Sequence, residues 1–403
     1  MKKVKICDLG DVITGTTPPS KFTNNWGVAA GFLTPSDIEG FDYFVLTDKR
    51  ISEDVLQQYK TRIVPPGSLS VVCIGATIGK LAHTVEATLT NQQINSIVPR
   101  KDVVDSDYLF YRFQLLSPNL KSIAGGSATP LLVKSDFEKI EIEIHDIAEQ
   151  RIIGAFFVKI DNLIHRNQQI LNALKEQLKI TYAHWFVSFE FPNKVGNPFR
   201  SNGGEMVYSE KLQREIPYNW TSERIENHFE FVKGCEPGAN SYHEKVADGS
   251  VPFFRVSDIP KSNPVFVSSS LKSLQMFNSS DVLVTFDGTV GKILFGKQGA
   301  YSSALRKVAS KGNLHSNGFV YSVMSSLHVQ QSIHRYSTGS VLLHAGESIK
   351  HLYMPFNREV VREFDSVANP LFSRMVEISR EIESLEKFRN ILLPQIMNNW
   401  ARI

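Results

Sequence analysis

The sequence contains little cysteine: its 403 residues include only Cys7, Cys73 and Cys235. Three scattered cysteines are too few for a disulfide framework or a cysteine-based metal site, so we expect reduced thiols. No stretch approaches the ~18 consecutive apolar residues that a membrane-spanning helix needs. The opening segment, MKKVKICDLG, lacks the apolar run of a signal peptide. These absences argue against secreted, membrane-spanning and metal-finger proteins and predict a cytoplasmic location.

A dominant charge of either sign is also missing. The chain has 44 Lys and Arg residues against 41 Asp and Glu residues, a formal net charge of +3. This mild excess permits nucleic-acid binding but does not indicate it. Apolar residues make up 42% and charged residues 21%, which favours packed domains over disorder. At roughly 100–200 residues per domain, the length predicts two to four domains.

Motifs for catalysis are not found either. GATIGK (75–80) resembles a phosphate-binding loop, but one residue is missing between its glycines and no Ser or Thr follows the lysine. No GxGxxG follows a strand, and no HExxH or GxSxG occurs. The Asn/Asp-Pro-Pro-aromatic tetrapeptide that an amino-methyltransferase needs is also missing, since Asn197-Pro198-Phe199 is one residue short. We therefore predict a binding protein with no catalytic residues, no metal and no cofactor of its own.

What the sequence does contain is a repeat. Four segments recur in the same order at offsets of about 211 to 221: LGDVITGTTP and IENHFEFVKGCEP, FLTPSDI and FFRVSDI, LSVVCIGATIGK and VLVTFDGTVGK, GGSATPLL and TGSVLLHA. Each half closes with a long helical pattern. Repeats at a fixed period indicate a duplicated structural unit. Coincidence among glycine-rich turns is the alternative interpretation.

The two helical patterns each keep a heptad seam. In the first, the seam consists of Ile153, Phe157, Ile160, Ile164, Asn167, Leu171, Leu174, Leu178 and Thr181. In the second, it consists of Phe364, Ala368, Leu371, Met375, Ile378, Ile382, Leu385, Arg389 and Leu392. An apolar stripe every 3.5 residues predicts a coiled coil, in which the polar Asn167 and Arg389 can fix the register. Two amphipathic helices packed on their own domains would give a similar pattern.

The fold class follows from these patterns. Short apolar runs between Gly, Pro and Asn predict strands and turns, while 107–116 and 318–326 favour helices. We predict a mixed α/β (α+β) protein with two similar globular domains and two long helices in an antiparallel coiled coil with pseudo-twofold symmetry. The predicted segments are domain 1 (1–145), helical region 1 (146–190), a linker (191–216), domain 2 (217–355) and helical region 2 (356–403). Such a rod, roughly 43 Å long over a 29-residue seam, would suit two half-sites on duplex DNA about 34–36 Å apart.

The order of motifs resembles the specificity subunit of type I restriction–modification systems over nearly the whole chain. GTTP and GCEP lie near the start of each half, and ATIGK and GTVGK at mid-domain, with TNQQI (90–94) in the first half alone. AEQRIIGAFFVKIDNLIHRNQQILNALKEQL (148–178) and LEKFRNILLPQIM (385–397) carry the helices. The second half departs from the first, with NREVVREF (357–364) at the position of Glu149-Gln150 and SSALRK (302–307) at that of NQQI.

The resemblance implies a function that the residues alone do not. The two domains would be target-recognition domains, together reading an asymmetric bipartite site on double-stranded DNA. The helices would dock two methyltransferase subunits, which flip and methylate adenine at N6; restriction and translocase subunits would then join. S-adenosylmethionine would bind the partner methyltransferase and ATP the partner restriction subunit. The specificity subunit itself would be non-catalytic.

Base-reading residues are expected on loops. Residues 1–145 hold 15 Lys and Arg against 16 Asp and Glu, so much of the phosphate affinity is expected from the methyltransferase partners. The predicted DNA-binding residues of the first domain are Thr16, Thr17, Lys21, Lys80, Asn91, Gln92, Gln93, Ser127, Thr129 and Lys134. Those of the second are Arg255, Lys292, Arg306, Lys307, Ser340 and His344. Each could instead be a solvated surface residue or a turn cap.

Two other functions stay open at the level of sequence. The first is a scaffold that carries two binding modules and does not bind DNA, which the weak basicity permits. The second is a methyltransferase with unrecognised catalytic motifs.

Overall fold

The computed structural model describes residues 1–19, 25–124, 130–244, 246–259, 264–339 and 343–401. They separate into two units, named here the first unit (Met1–Ile164 with Leu385–Ile403) and the second unit (His165–Ser384). Among the described residues, no helix combines the length and the apolar character needed to cross a bilayer.

The first unit holds a five-stranded sheet of order β2-β10-β7-β8-β4, a four-stranded sheet of order β5-β3-β9-β6, and the pair β1-β11. Its elements are β1 (Lys2–Lys5), α1 (Ile6–Leu9), β2 (Gly10–Thr14), β3 (Trp26–Leu33), β4 (Phe41–Val45), β5 (Arg50–Ile51), α2 (Glu53–Gln58), β6 (Ile63–Val64), β7 (Leu69–Val72), β8 (Leu81–Thr84), β9 (Thr88–Thr90), β10 (Ile94–Pro99), α3 (Ser106–Ile123), α4 (Lys134–Phe137) and β11 (Glu141–Ile144). The long helix α5 (Ile147–Phe186) begins in this unit and ends in the second.

The second unit holds two four-stranded sheets, of orders β15-β23-β19-β21 and β17-β16-β22-β18, and three two-stranded pairs, β12-β13, β14-β25 and β20-β24. Its elements are β12 (Met206–Ser209), β13 (Arg214–Pro217), β14 (Thr221–Arg224), α6 (Ile225–His228), β15 (Phe229–Lys233), β16 (Ser250–Phe254), β17 (Val265–Ser268), β18 (Met276–Phe277), β19 (Val282–Thr285), β20 (Asp287–Gly288), β21 (Ile293–Leu294), β22 (Gly299–Tyr301), β23 (Leu305–Ser310), α7 (Asn317–Ser325), α8 (Leu327–Arg335), β24 (Leu343–His344) and β25 (Tyr353–Phe356). The long helix α9 (Arg358–Met397) begins here and ends in the first unit.

Strand order confirms the internal repeat. β2-β10-β7-β8 of the first unit recurs as β15-β23-β19-β21, and β5-β3-β9-β6 recurs as β17-β16-β22-β18. A parallel pairing also recurs, because β3 runs parallel to β9 and β16 runs parallel to β22. The central strands β7 and β19 are buried at every position, which explains why their sequences do not alternate with charged residues. The predicted mixed α/β fold is confirmed.

The long helices pair in antiparallel fashion, as predicted. In the first unit, Asp161 in the first half of α5 contacts Arg389 near the end of α9. In the second unit, Phe186 at the end of α5 packs on Phe364 near the start of α9, with ring centroids 5.1 Å apart. Each helix has 40 residues, which corresponds to roughly 60 Å.

The same seam also packs on the globular parts. Leu178, Phe364 and Met375 belong to the apolar core of the second unit, together with the strand residues Val282 and Val284. The two interpretations of the heptad pattern are therefore both realised, since the helices pair with each other and also complete the domain cores.

The segment at 191–216 is folded. It contains the hairpin of β12 and β13, and Phe191, Leu212 and Ile216 are buried in the second unit's core. Phe191 stacks on Phe199 with ring centroids 4.8 Å apart and packs against Trp220. The aromatic residues thus hold to the core a segment that its Pro, Gly and Asn content predicted as a linker.

Candidate nucleic-acid interface

Three loops of the first unit meet at one edge of its sheets. The loop after β2 is joined to the end of β9 by the Thr16 amide, which donates to the Thr90 carbonyl at 2.8 Å. The loop after β7 is joined to the loop after β9 by the Cys73 amide, which donates to the Gln93 carbonyl at 2.8 Å. These bonds bring the predicted residues of two motifs, GTTP and NQQI, into one cluster, named here loop cluster 1 (Gly15–Thr17 and Asn91–Gln93).

The side chains of loop cluster 1 are ordered by one another. The Thr17 hydroxyl donates to Gln92 Oε1 at 2.5 Å, and both residues are exposed. Asn91 is buried: its side-chain amide donates to Gln93 Oε1 at 3.1 Å, and its Oδ1 accepts from the Gln93 amide at 3.0 Å. The side chains of Thr17 and Gln92 are therefore exposed to solvent, while the buried Asn91 side chain holds the loop through its hydrogen bonds to Gln93.

The two predicted lysines of the first unit differ in their surroundings. The Lys80 ammonium donates to the Pro35 and Ile38 carbonyls at 3.0 and 2.5 Å, so it ties the glycine turn to a neighbouring loop. Lys134 is exposed in the first turn of α4, and an exposed ion pair of 3.5 Å joins it to Glu138. A phosphate would meet less competition at Lys134 than at Lys80.

The second unit forms the same loop arrangement from different side chains. The Cys235 amide donates to the Tyr301 carbonyl at 3.1 Å, at the position of the bond between Thr16 and Thr90. Glu236 takes the place of Thr17, and its Oε1 accepts from the Ser303 amide at 3.0 Å and from the Ser303 hydroxyl at 2.7 Å. We name this arrangement loop cluster 2 (Gly234–Glu236 and Ser302–Ala304).

Several predicted cations of the second unit are engaged within the protein. Arg255 pairs with the buried Asp258 through two bonds of 2.9 Å. Lys292 donates to the Ile259 carbonyl at 3.2 Å, so it repeats the role of Lys80. Lys307 donates to the Met276 carbonyl at 3.3 Å.

Arg306 and His344 complete the predicted set of the second unit. The Arg306 guanidinium lies 5.4 Å from the centre of the Phe286 ring, and its buried Nε has no hydrogen-bond partner among the described residues. His344 is exposed, and its Nδ1 lies 2.6 Å from Asp287 Oδ1. The predicted residues Lys21, Ser127, Thr129 and Ser340 fall outside the described residues.

Sequence reasoning missed Glu236. Its motif, GCEP, matches GTTP at the glycine and the proline but differs at both residues between them, Cys235 and Glu236. Continuing the offset of 219 from Gly15 and Gly234 would have placed Glu236 on Thr17. A carboxylate in place of a hydroxyl at equivalent positions is a difference visible in the sequence, and it identifies Glu236 as a candidate functional residue.

The loop clusters offer hydrogen-bond donors and acceptors, and loop cluster 2 also contains the partly exposed free thiol of Cys235. Within the part of the chain that the structure describes, no three His, Cys, Asp or Glu residues come close enough to hold a metal ion. Burial raises the pKa of the Cys73 thiol to about 12, which keeps this cysteine protonated and unreactive near neutral pH. Exposed hydroxyl, amide and carboxylate groups on rigid loops suit recognition of base edges.

Comparison with known proteins agrees with this arrangement. Residues 1–176 match the type I restriction modification DNA specificity domain. The chain is 26% identical over 425 aligned residues to the type I restriction enzyme MjaIX specificity subunit of Methanocaldococcus jannaschii, covering 100% of this chain and 93% of that one. It is 30% identical over 171 residues to the HindI specificity subunit of Haemophilus influenzae, covering 40% of this chain and 37% of that one.

A solved structure has the same fold. The crystal structure of the type I restriction–modification S subunit from M. genitalium aligns with 98% of this chain and 96% of its own, with a TM-score of 0.59 and 14% identity. The repeated strand order, the antiparallel long helices and the sequence relatives agree: the specificity-domain match covers residues 1–176, and the whole chain is similar to type I restriction–modification specificity subunits.

Proposed function

We propose that this chain reads an asymmetric bipartite site on double-stranded DNA, one half with each loop cluster, and positions two adenine-N6 methyltransferase subunits without catalysing the reaction itself. The observation that carries the proposal is the recurrence of one loop arrangement with different exposed side chains. Thr17 and Gln92 are exposed in loop cluster 1, and in loop cluster 2 Glu236 is exposed while Ser303 is half-buried. Equivalent loops with different chemistry would read different bases.

The proposed docking of methyltransferase subunits is supported by apolar side chains on the long helices. In the first unit, Ile152, Leu163, Phe388 and Ile391 are 47–60% exposed, although they lie on well-formed helices. In the second unit, Ile170 and Ile180 are 46% and 60% exposed. Exposed apolar residues grouped on a helical surface are typical of protein interfaces.

The remaining parts of the proposal concern partners and ligands. Restriction and translocase subunits would join the methylating complex, and the complex would act in the cytoplasm. S-adenosylmethionine would bind the methyltransferase and ATP the restriction subunit, so this chain would hold no cofactor. The net charge of −1 in residues 1–145 is consistent with partners that supply much of the phosphate contact.

A domain exchange tests the proposal. The chain is produced with its cognate methyltransferase, methylated adenines are mapped, and residues 1–145 are then replaced by the first domain of another family member. We expect one half of the methylated site to change and the other to persist. A site unchanged by the exchange would contradict reading by this domain, and methyl transfer by the chain alone would contradict the non-catalytic role.

The contribution of the partner is tested by filter binding to the mapped site at one fixed salt concentration. We expect binding to fall steeply when the methyltransferase is omitted. Undiminished binding by the isolated chain would contradict the idea that the partners supply much of the affinity.

A further inference from the structure

Loop cluster 2 contains the carboxylate of Glu236, whose two oxygens differ in their hydrogen bonding. Glu236 Oε1 accepts both the amide and the hydroxyl hydrogen of Ser303. Among the described residues, Oε2 accepts one long hydrogen bond, from the Tyr242 hydroxyl at 3.5 Å. The residue is exposed, and no ion pair links it to any cation that the structure describes. Two hydrogen bonds from Ser303 thus hold one oxygen of Glu236, while the other oxygen can still accept a strong hydrogen bond.

A carboxylate is an unusual group to place on a DNA-reading loop, because phosphates repel it. It becomes useful only opposite a base edge that offers a hydrogen-bond donor. In the major groove, cytosine presents the N4 amino group without a neighbouring acceptor, whereas adenine places the N7 acceptor beside its amino group. Guanine N7 and O6 and thymine O4 are acceptors, so a carboxylate disfavours them.

In loop cluster 1, the donor and the acceptor of the corresponding hydrogen bond lie on the opposite loops. There the hydroxyl of Thr17 comes from the first loop and the acceptor, Gln92 Oε1, from the second. The Gln92 amide can both donate and accept, and such a group pairs with adenine N6 and N7. The two units therefore keep one side-chain hydrogen bond between equivalent loops but exchange which loop supplies the acceptor.

We propose that Glu236 is a specificity-determining residue that accepts a hydrogen bond from cytosine N4 in the second half-site, and that Gln92, the acceptor of the corresponding hydrogen bond between loops, reads adenine in the first. This inference rests on the proposed function, because it requires the loop clusters to face DNA. Ser303 acts as a positioning residue that holds the carboxylate. The fixed orientation matters because a group already held in its binding geometry loses little conformational entropy on contact.

The experiment uses the chain in complex with its cognate methyltransferase and measures methylation of duplexes in which one half-site is randomised at a time. We expect Glu236→Gln to move the preference at one position of the second half-site from cytosine to adenine, by about tenfold to a hundredfold. The reciprocal change Gln92→Glu is expected to move one position of the first half-site from adenine to cytosine. All other positions should keep their preferences.

Glu230→Gln is the matched control, because Glu230 is an exposed carboxylate on β15, the strand that leads into the same loop. It removes the same charge and should leave every base preference unchanged. If Glu236→Gln behaves like this control, or if the position it alters prefers guanine or thymine in the parent, the inference is wrong while the proposed function stands. If the parent complex shows no site preference at all, the proposed function fails instead. Thermal unfolding of both variants establishes that they are folded.

Discussion

The guanidinium of Arg389 lies 2.5 Å from the carboxylate of Asp161, and both side chains are largely buried in the first unit. The Tyr111 hydroxyl donates to the other oxygen of the same carboxylate at 2.6 Å. Arg389 interrupts the apolar seam of α9 because it neutralises a charge carried by α5. The three side chains connect α3, α5 and α9.

Removing one member of this pair should destabilise the protein strongly. We expect Arg389→Met to lower the free energy of unfolding by about 3 kcal/mol, because the Asp161 carboxylate is left buried without a counter-charge. Asp161→Asn should cost a similar amount, and the double variant should lose clearly less than the sum. Urea unfolding followed by circular dichroism measures all three. Strictly additive losses would show that the two charges do not interact.

The stability of the second unit should depend on pH through His315. Burial and the neighbouring His228 ring lower the pKa of His315 to about 4. The unfolded chain, with a histidine pKa of about 6.5, takes up a proton at pH values where the native state does not. The stability that neutral His315 contributes is therefore fully present above about pH 6.5 and is lost as the pH falls toward 4.

We expect the thermal unfolding midpoint to fall between pH 7 and pH 5, and His315→Gln to reduce that fall. The exposed His334→Gln is the control and should keep the parent's pH dependence. An unchanged pH dependence in His315→Gln would contradict the assignment.

Two glycines of one turn should differ in their tolerance of alanine. Gly75 and Gly79 have φ values of +85° and +93°, so alanine is strained at both. A Cβ on Gly75 would meet nothing within 4 Å, whereas one on Gly79 would lie 2.8 Å from the Ser117 carbonyl oxygen. We expect Gly75→Ala to cost about 1 kcal/mol and Gly79→Ala about 3 kcal/mol in urea unfolding. Equal costs would mean that Ser117 does not limit this position.

Substitutions of Lys80 and Lys134 should have different effects, the first on the free energy of unfolding and the second on DNA affinity. Since Lys80 donates to two carbonyls, Lys80→Met should lower the free energy of unfolding by about 1–3 kcal/mol. Lys134→Gln should leave stability unchanged and reduce the slope of log binding constant against log salt by about 1, if Lys134 contacts a phosphate. Filter binding of the complex across a salt series measures the slope. The reverse outcome, with the slope altered only by Lys80→Met, would overturn this division.

The repeat and both long helices could be predicted from the sequence because they depend on local pattern. The seam from Ile153 to Leu178 follows from apolar periodicity alone, and the antiparallel pairing follows from duplication. The helix at 107–116 was predicted too short: α3 continues past Pro118 to Ile123.

The partners of individual polar side chains could not be predicted. Lys80 and Lys292 follow glycine turns and are predicted from the sequence to bind DNA, yet each donates to a carbonyl 33–45 residues away. Arg255 resembles a base-reading arginine in sequence, but Asp258, three residues later, holds its guanidinium. These hydrogen-bond partners depend on the path of the backbone in three dimensions, which the spacing of motifs along the sequence does not specify.

The contacts of the first unit also have a consequence for synthesis. His145 Nε2 lies 2.7 Å from Asn399 Oδ1, and Arg112 donates to the Met397 carbonyl, so each contact joins residues separated by more than 250 positions in the sequence. While the ribosome is still translating the second unit, the surface around Asp161 remains without its partner helix and must be kept from aggregating. A nascent chain that stops before Leu385 would lack Arg389 and would leave the Asp161 carboxylate without its counter-charge.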